Sequence, residues 1–190
     1  MLFHSKQSLS EIWTTLSHEL HRGALDAKHP FRYVTLATIE HDSPHQRTVV
    51  MRKVDKALNF YFFTDFRTGK VKQIQANPNA EFLVYHPGKR TQIRVKGRIQ
   101  IHQQNKLSQE MWERVQGEAQ KAYNSILSPG LEIADPDLAY DWPMEMDDRF
   151  FAVLQFIPER IEALQLNGLT HIRVVFSKVG DAWKGLYSMP

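Results

Sequence analysis

The sequence predicts a mainly β protein of the α+β class: an antiparallel β-barrel with a few flanking helices, in one domain over residues 1–190. Three observations carry this expectation. About eight stretches read as strands, and turn signals rather than crossover helices join most of them, which favours a barrel over a doubly wound sheet. The stretch TQIRVKGRIQI alternates with a period of two: Ile93, Val95, Ile99 and Ile101 face one way, and Gln92, Arg94, Lys96, Arg98 and Gln100 the other. Finally, 42 % apolar and 11 % aromatic residues in a chain of 190 are enough to build a core.

The elements follow in order. Ser8-Leu9-Ser10-Glu11 fits a capping box, and Leu9, Ile12, Trp13, Leu16 and Leu20 keep helical spacing up to a stop at Gly23. Strands are expected at Tyr33 to Ile39, Arg47 to Val54 and Leu58 to Phe63, the last two joined by a turn at Asp55-Lys56. A short helix spans Thr68 to Ala76 and ends at Asn77-Pro78. Glu81 to Tyr85 is strand-like and precedes the turn signal Pro87-Gly88. Gly97 interrupts the apolar row of the next strand, as a bulge or sharp bend would. Leu107, Met111, Trp112, Val115 and Ala119 predict a long amphipathic helix, followed by a loop over Ser128 to Asp148. Strands resume at Phe150 to Phe156, Ile161 to Leu166, Ile172 to Phe176 and Ala182 to Tyr187, with hairpin signals at Asn167-Gly168 and Gly180-Asp181.

Composition narrows the function. No apolar run approaches the roughly 20 residues of a membrane helix, and the opening MLFHSKQSLSEIW lacks the apolar core of a signal peptide, so a cytoplasmic protein is expected. The absence of cysteine removes disulfides, thiolate metal sites and a cysteine nucleophile. His18-Glu19-Leu20-His21 lacks the His-Glu-x-x-His spacing that puts two zinc ligands on one helix face, and no metal is expected. A net charge of +3 suits a phosphate-bearing small ligand and is weak for nucleic acid. Arg94, Lys96 and Arg98, with Lys89 and Arg90 before them, read as a solvated strand face or a dimer interface.

The stretch FFTDFRTGKVKQIQANP passes from strand to helix, and Thr64, Arg67, Thr68, Gly69 and Lys70 sit at the joint. A helix N-terminus offers unpaired N–H groups and partial positive charge. Thr68 adds a hydroxyl, Lys70 a full charge, and Gly69 lets an anion approach the backbone. In isolation, a cap and a solvated lysine explain the segment better than an anion site does. The strand RTVVMRKVD should pair beside it and bring Arg47 towards Thr64 and Lys70, which makes an anion site.

These segments resemble the FMN-binding split-barrel family of pyridoxamine 5'-phosphate oxidase. The resemblance runs through RTVVMRKVD, FFTDFRTGKVKQIQANP, TQIRVKGRI and the C-terminal RIEALQL, HIRVVF and DAWKGLYSMP, in matching order. It implies a split β-barrel, FMN as cofactor, and a homodimer with two sites at the interface. It implies that Arg47, Thr48, Val49, Val50, Met51 and Arg52 form the strand along FMN. Arg47, Thr68 and Lys70, with Gly69 between the last two, match the phosphate ligands. Phe63 and Thr64 match a Tyr-Thr pair, Gln92 a glutamine on the flavin ring, and Arg173 an arginine that reaches FMN from the other subunit.

The departures bear on function. Gly69 stands where the family carries an arginine, with Arg67 as a replacement charge; Arg52 replaces a lysine, and Leu164 the flavin-stacking tryptophan. Leu169-Thr170-His171 replaces the substrate motif Arg-x-His. The expected function is therefore an FMN-dependent oxidoreductase acting on a small molecule other than the family's own substrate, with Arg52 and His171 as substrate candidates. A reduced flavin gathers negative charge at one edge of its ring, and Arg52 and Arg173 are the cations to meet it. A flavin carrier without turnover, a haem-handling split barrel and an RNA-binding strand surface are the other readings.

Overall fold

The computed structural model describes residues 1–190. The first helix, α1 (Leu9–Leu25), begins at a complete capping box: Glu11 N–H donates to Ser8 Oγ (3.3 Å), and Ser8 N–H donates to the Glu11 carboxylate (2.7 Å). It runs past Gly23, the expected stop. That glycine is needed for close packing, since a Cβ there would lie 2.7 Å from Phe31 Cβ.

Eight strands follow the sequence closely: β1 (Tyr33–Glu40), β2 (Ser43–Val54), β3 (Phe60–Asp65), β4 (Asn79–His86), β5 (Thr91–Gln103), β6 (Phe151–Gln165), β7 (Ile172–Val179) and β8 (Ala182–Ser188). Helices α2 (Gly69–Ala76) and α3 (Lys106–Trp112) flank them. The turn between β2 and β3 is held by Asp55, whose carboxylate accepts the Ala57 and Asn59 N–H groups, each at 2.9 Å. All pairings are antiparallel, in the order β3-β2-β1-β4-β5-β6-β7-β8. β3 also pairs with β6, which closes six strands into a barrel. Its core includes Val34, Leu36, Val49, Met51, Phe60, Phe62, Phe82 and Phe156, and α1 adds Ile12, Leu16 and Leu20. Phe82 meets Phe60 and Phe156 edge to face at centroid distances of 4.8 and 4.9 Å.

Two further expectations are corrected. The strands Phe150 to Phe156 and Ile161 to Leu166 are one strand, β6. Pro158, in the gap between the two expected strands, sits where β6 changes partner along one edge: Phe151 to Phe156 pair with β3, and Arg160 to Gln165 pair with β7. The missing N–H of Pro158 falls between the two ladders. The other edge pairs with β5 throughout, with a bulge where Lys96 faces Arg160 and Gly97 faces Pro158. The long helix Leu107 to Ala119 is also shorter. α3 ends at Trp112, and the chain restarts as a 3-10 turn over Gly117–Tyr123 with Gly117 at φ +57°. Met111, Val115 and Tyr123 still pack together in a second cluster with Tyr61, Phe151 and Val153 outside the barrel. No helix is long and apolar enough to cross a membrane.

Candidate functional site

Three inward-facing rows of the barrel end in polar residues. Val34 and Leu36 lead to Thr38 on β1, Met51 and Val49 to Arg47 on β2, and Phe60 and Phe62 to Thr64 on β3. Thr38 and Thr64 are buried and Arg47 is half-buried. The Arg47 guanidinium donates to Thr38 Oγ1 and, at 2.7 Å, to Gln73 Oε1 of α2. Thr38 Oγ1 donates to the same Gln73 oxygen at 2.6 Å. Thr38 and Gln73 were not singled out from the sequence. The legible signal was a threonine in the inward register of Val34 and Leu36.

The N-terminus of α2 opens beside this mouth. Both α1 and α3 start with capping boxes, but no side chain caps α2. Thr68 Oγ1 turns instead to the Asp65 carbonyl oxygen at 2.8 Å. Lys70 Nζ donates to Thr64 Oγ1 at 3.0 Å, and the Thr64 and Thr68 hydroxyls lie 3.3 Å apart. Nothing lies within 4 Å of a Cβ built on Gly69, so space is open over the first turn. Burial pushes the Lys70 ammonium below its ordinary pKa, and the nearby Arg47 charge adds to the fall, with Asp65 pulling the other way. Burial also lowers the Arg47 pKa, against the pull of Glu40. Arg47, Thr64, Thr68, Gly69 and Lys70 thus come together as expected from the strand pairing. Arg67 does not join them as a replacement charge. It grips Asp65 at 2.6 Å, donates to the Ser125 carbonyl at 2.8 Å and stacks 3.8 Å over the Phe150 ring.

Along β2 the side chains divide. Val49 and Met51 enter the core, so their main chain is what a ligand outside the barrel can meet. Thr48, Val50 and Arg52 project outward. Arg52 lies 5.7 Å over the ring of Phe63, which packs edge-on against Phe151. Beside them burial raises the Tyr123 pKa, and the Arg52 charge opposes that rise.

Gln92 and Arg173 form a separate group. Gln92 pairs with Leu164, and Leu164 with Arg173, so the three stand in one cross-strand row on β5, β6 and β7. Round the barrel, β1 and β4 lie between β2 and β5, and β3 lies between β2 and β6. His171 lies at the start of β7, with Nδ1 accepting the Asn167 N–H at 3.2 Å. It borders a cleft of about 480 Å³ with His4, Lys6 and Thr170.

His18 and His21 do not converge: His21 contacts the Ser17 and Asp55 carbonyls. Glu19, His29 and His86 do come together, but Lys89 Nζ already sits 2.9 Å from Glu19 Oε2, and Arg22 donates to Oε1 at 2.9 Å. His29 Nδ1 accepts the Phe31 N–H, which leaves Nε2 to donate to Glu19 at 3.2 Å. The group is a filled ion network that ties α1 to the β4–β5 turn.

The family model described as "Pyridoxamine 5'-phosphate oxidase, FMN-binding domain" matches residues 10–103. A solved structure from Nostoc punctiforme, described as a pyridoxamine 5'-phosphate oxidase-related, FMN binding protein, superposes with a TM-score of 0.77 at 25 % identity, over 97 % of this chain and all of that one. The pyridoxine/pyridoxamine 5'-phosphate oxidase of Pseudomonas putida is 37 % identical over 68 residues, which is 35 % of this chain and 31 % of that protein. The match thus spans about a third of that curated relative's length. The enzyme of the same name from Pseudomonas syringae pv. tomato is 26 % identical over 173 residues, 79 % of this chain and 74 % of that protein. The six-stranded barrel and these matches together show a split barrel similar to the pyridoxamine 5'-phosphate oxidase-like, FMN-binding proteins, with residues 10–103 matching that family's FMN-binding domain.

Proposed function

We propose that this chain binds FMN and acts as an FMN-dependent oxidoreductase on a small organic molecule, as a homodimer with two composite sites. The observation that carries the reading is the barrel mouth. Two half-buried cations, Arg47 and Lys70, lie beside the uncapped first turn of α2, and burial disfavours the charge on both. A phosphate would meet that charge and the free N–H groups at once. Lys70 and Arg47 would hold it by charge, and Thr64 and Thr68 by their hydroxyls. The outer face of β2, with Thr48, Val50 and Arg52, would carry the ring.

Bound FMN supplies hydride-accepting chemistry. The chain's own task is to bind the ring, orient it and place positive charge at its edge. Arg52 is one such charge, held on the Phe63 ring. Arg173 is the other, delivered by a second subunit as the resemblance implies. The exposed apolar residues Tyr33, Tyr85 and Leu186 on the outer face of the strands fit burial against that subunit. A carrier without turnover is the second reading, favoured by Leu169, which is fully exposed where the family places its substrate-motif arginine.

The test is a visible spectrum followed by reduction. The purified protein mixed with FMN should show bands near about 370 and 450 nm shifted from free flavin. Anaerobic addition of candidate amines, alcohols and reduced nicotinamides should bleach the lower-energy band with at least one of them. Bleaching by none supports the carrier. A Soret band with no flavin bound would sink the FMN reading.

A further inference from the structure

Glu162 of β6 is only 8 % exposed and is surrounded by three guanidinium groups. Its Oε2 lies 3.4 Å from Arg94 Nη2 and 3.8 Å from Arg160 Nη2. Its Oε1 lies 3.8 Å from Arg173 Nε. The two carboxylate oxygens therefore face different arginines. Arg94 is the direct cross-strand partner of Glu162 and is itself 3.6 Å from Glu81 on β4. This chain of charges holds the Oε2 side and leaves Oε1 aimed at β7.

Arg173 is unusual among the arginines here. Its Nε is buried and has no hydrogen-bond partner, although the side chain as a whole is 32 % exposed. A buried N–H donor without an acceptor is unfavourable, and 3.8 Å is an ion-pair distance beyond the hydrogen-bond range. The one carboxylate oxygen beside it is Glu162 Oε1. A guanidinium has five N–H donors in a fixed fork, so engaging Nε fixes the plane and leaves four terminal N–H groups for another partner.

We propose that Glu162 is a positioning residue: it takes the Arg173 Nε–H and thereby orients the terminal nitrogens of Arg173 towards the flavin. The inference rests on the FMN reading above. Glu162 would act only through Arg173, and Arg94 keeps its carboxylate from turning away. Leu164, between Gln92 and Arg173 in the neighbouring row, cannot hydrogen-bond either, so Glu162 is the group that fixes the arginine.

The test is a double-mutant cycle on FMN binding by the full chain, read by quenching of flavin fluorescence and by visible circular dichroism of the saturated complex. Arg173→Ala and Glu162→Gln should each weaken FMN at least about tenfold, as loss of a charge-assisted hydrogen bond does. The double variant should be little weaker than either single one. Glu162→Asp should recover part of the affinity, and Glu162→Gln should alter the dichroism of the saturated flavin, which a purely structural role would not. Wild-type affinity and dichroism in Glu162→Gln, with a clear loss in Arg173→Ala, would overturn the inference and leave the FMN reading standing. Losses that multiply in the double variant would overturn it as well. Undiminished affinity in Arg173→Ala would remove both the inference and the placement of Arg173, while loss in Lys70→Ala would still report on the phosphate site. If Glu162→Gln melts too low to titrate, the cycle run with Glu162→Asp decides by the same criterion.

Discussion

Gly97 of β5 faces Pro158 of β6, and a Cβ on Gly97 would lie 2.2 Å from the Ile157 carbonyl oxygen. It would also meet the Phe156 ring at 2.8 Å and Pro158 Cα at 2.9 Å. Two of these obstacles are backbone atoms, which cannot step aside as a flexible side chain can. Gly97→Ala should therefore destabilise the protein by about 1–3 kcal/mol, in the range of overpacked cores. Urea unfolding measures it, and an unchanged midpoint would show that the bulge has slack. Gly69→Ala, with open space over its Cβ, is the control, expected within about 0.5 kcal/mol of wild type.

Lys70→Ala should weaken FMN far more than riboflavin, because only FMN presents the anion. The expected loss is about 1.5–3 kcal/mol for FMN. Parallel titrations of the two flavins measure the difference. Equal losses for both would place Lys70 away from the phosphate.

Acid stability should depend on Glu19. Burial pushes its pKa up, but Lys89, His29 and Arg22 overcome this and hold it at about 2, from an ordinary 4.5. The unfolded chain then binds a proton more readily than the folded one. The stabilisation is complete above about pH 4.5 and is lost as pH falls towards 2. It amounts to on the order of 3 kcal/mol. Glu19→Gln should flatten the acid limb of a stability–pH curve measured between pH 5 and 2, and an unchanged limb would show that other carboxylates set it.

Pyridoxine 5'-phosphate should be turned over slowly or not at all. Leu169 is fully exposed and brings no charge to the position where the substrate-motif arginine is expected. A coupled assay with FMN-loaded protein is sufficient. Turnover within the ordinary range of roughly 1–1000 per second would show that other cations, such as Lys6 beside the His171 cleft, serve instead.

FMN should bind a dimer and stabilise it, because a ligand that needs both subunits shifts association by mass action. The interface is expected to exceed roughly 2,000 Å² in total. Sedimentation at falling protein concentration, with and without FMN, reads this out. A monomer with undiminished affinity would mean that one chain completes the site.

Much of this fold was legible because local and tertiary demands agree. Ser8 and Glu11 signal a cap and form one; Gly97 breaks an apolar row and marks a bulge. That β6 is one strand was not legible, because whether Pro158 interrupts it depends on which strand faces it, and no sequence window contains that partner. The helix after Leu107 was overextended because Leu107, Met111, Trp112 and Val115 keep helical spacing and pack in one cluster although the helix itself ends at Trp112. At the site, Arg47 and Lys70 could be joined through a strand pairing. The fate of Arg67 turned on Asp65 and Ser125, and the setting of Arg173 on Glu162 one strand away and Arg94 two strands away. Charges of similar sequence context diverge once their counter-ions are in place.

The double allegiance of β6 has a consequence for the order of folding. Hairpins β1–β2, β2–β3, β4–β5 and β7–β8 join neighbours in the chain and need little loop closure. Sealing β3 to β6 is different: Gln155 Nε2 reaches Tyr61 Oη at 3.2 Å across 94 residues of sequence. Loop entropy opposes that contact until both strands exist, so barrel closure is expected to be the slow step. Until then β3 and the first half of β6 present unpaired edges, and a nascent chain would be open to pairing with its neighbours over the whole time that the loop between α3 and β6 takes to be made and folded back.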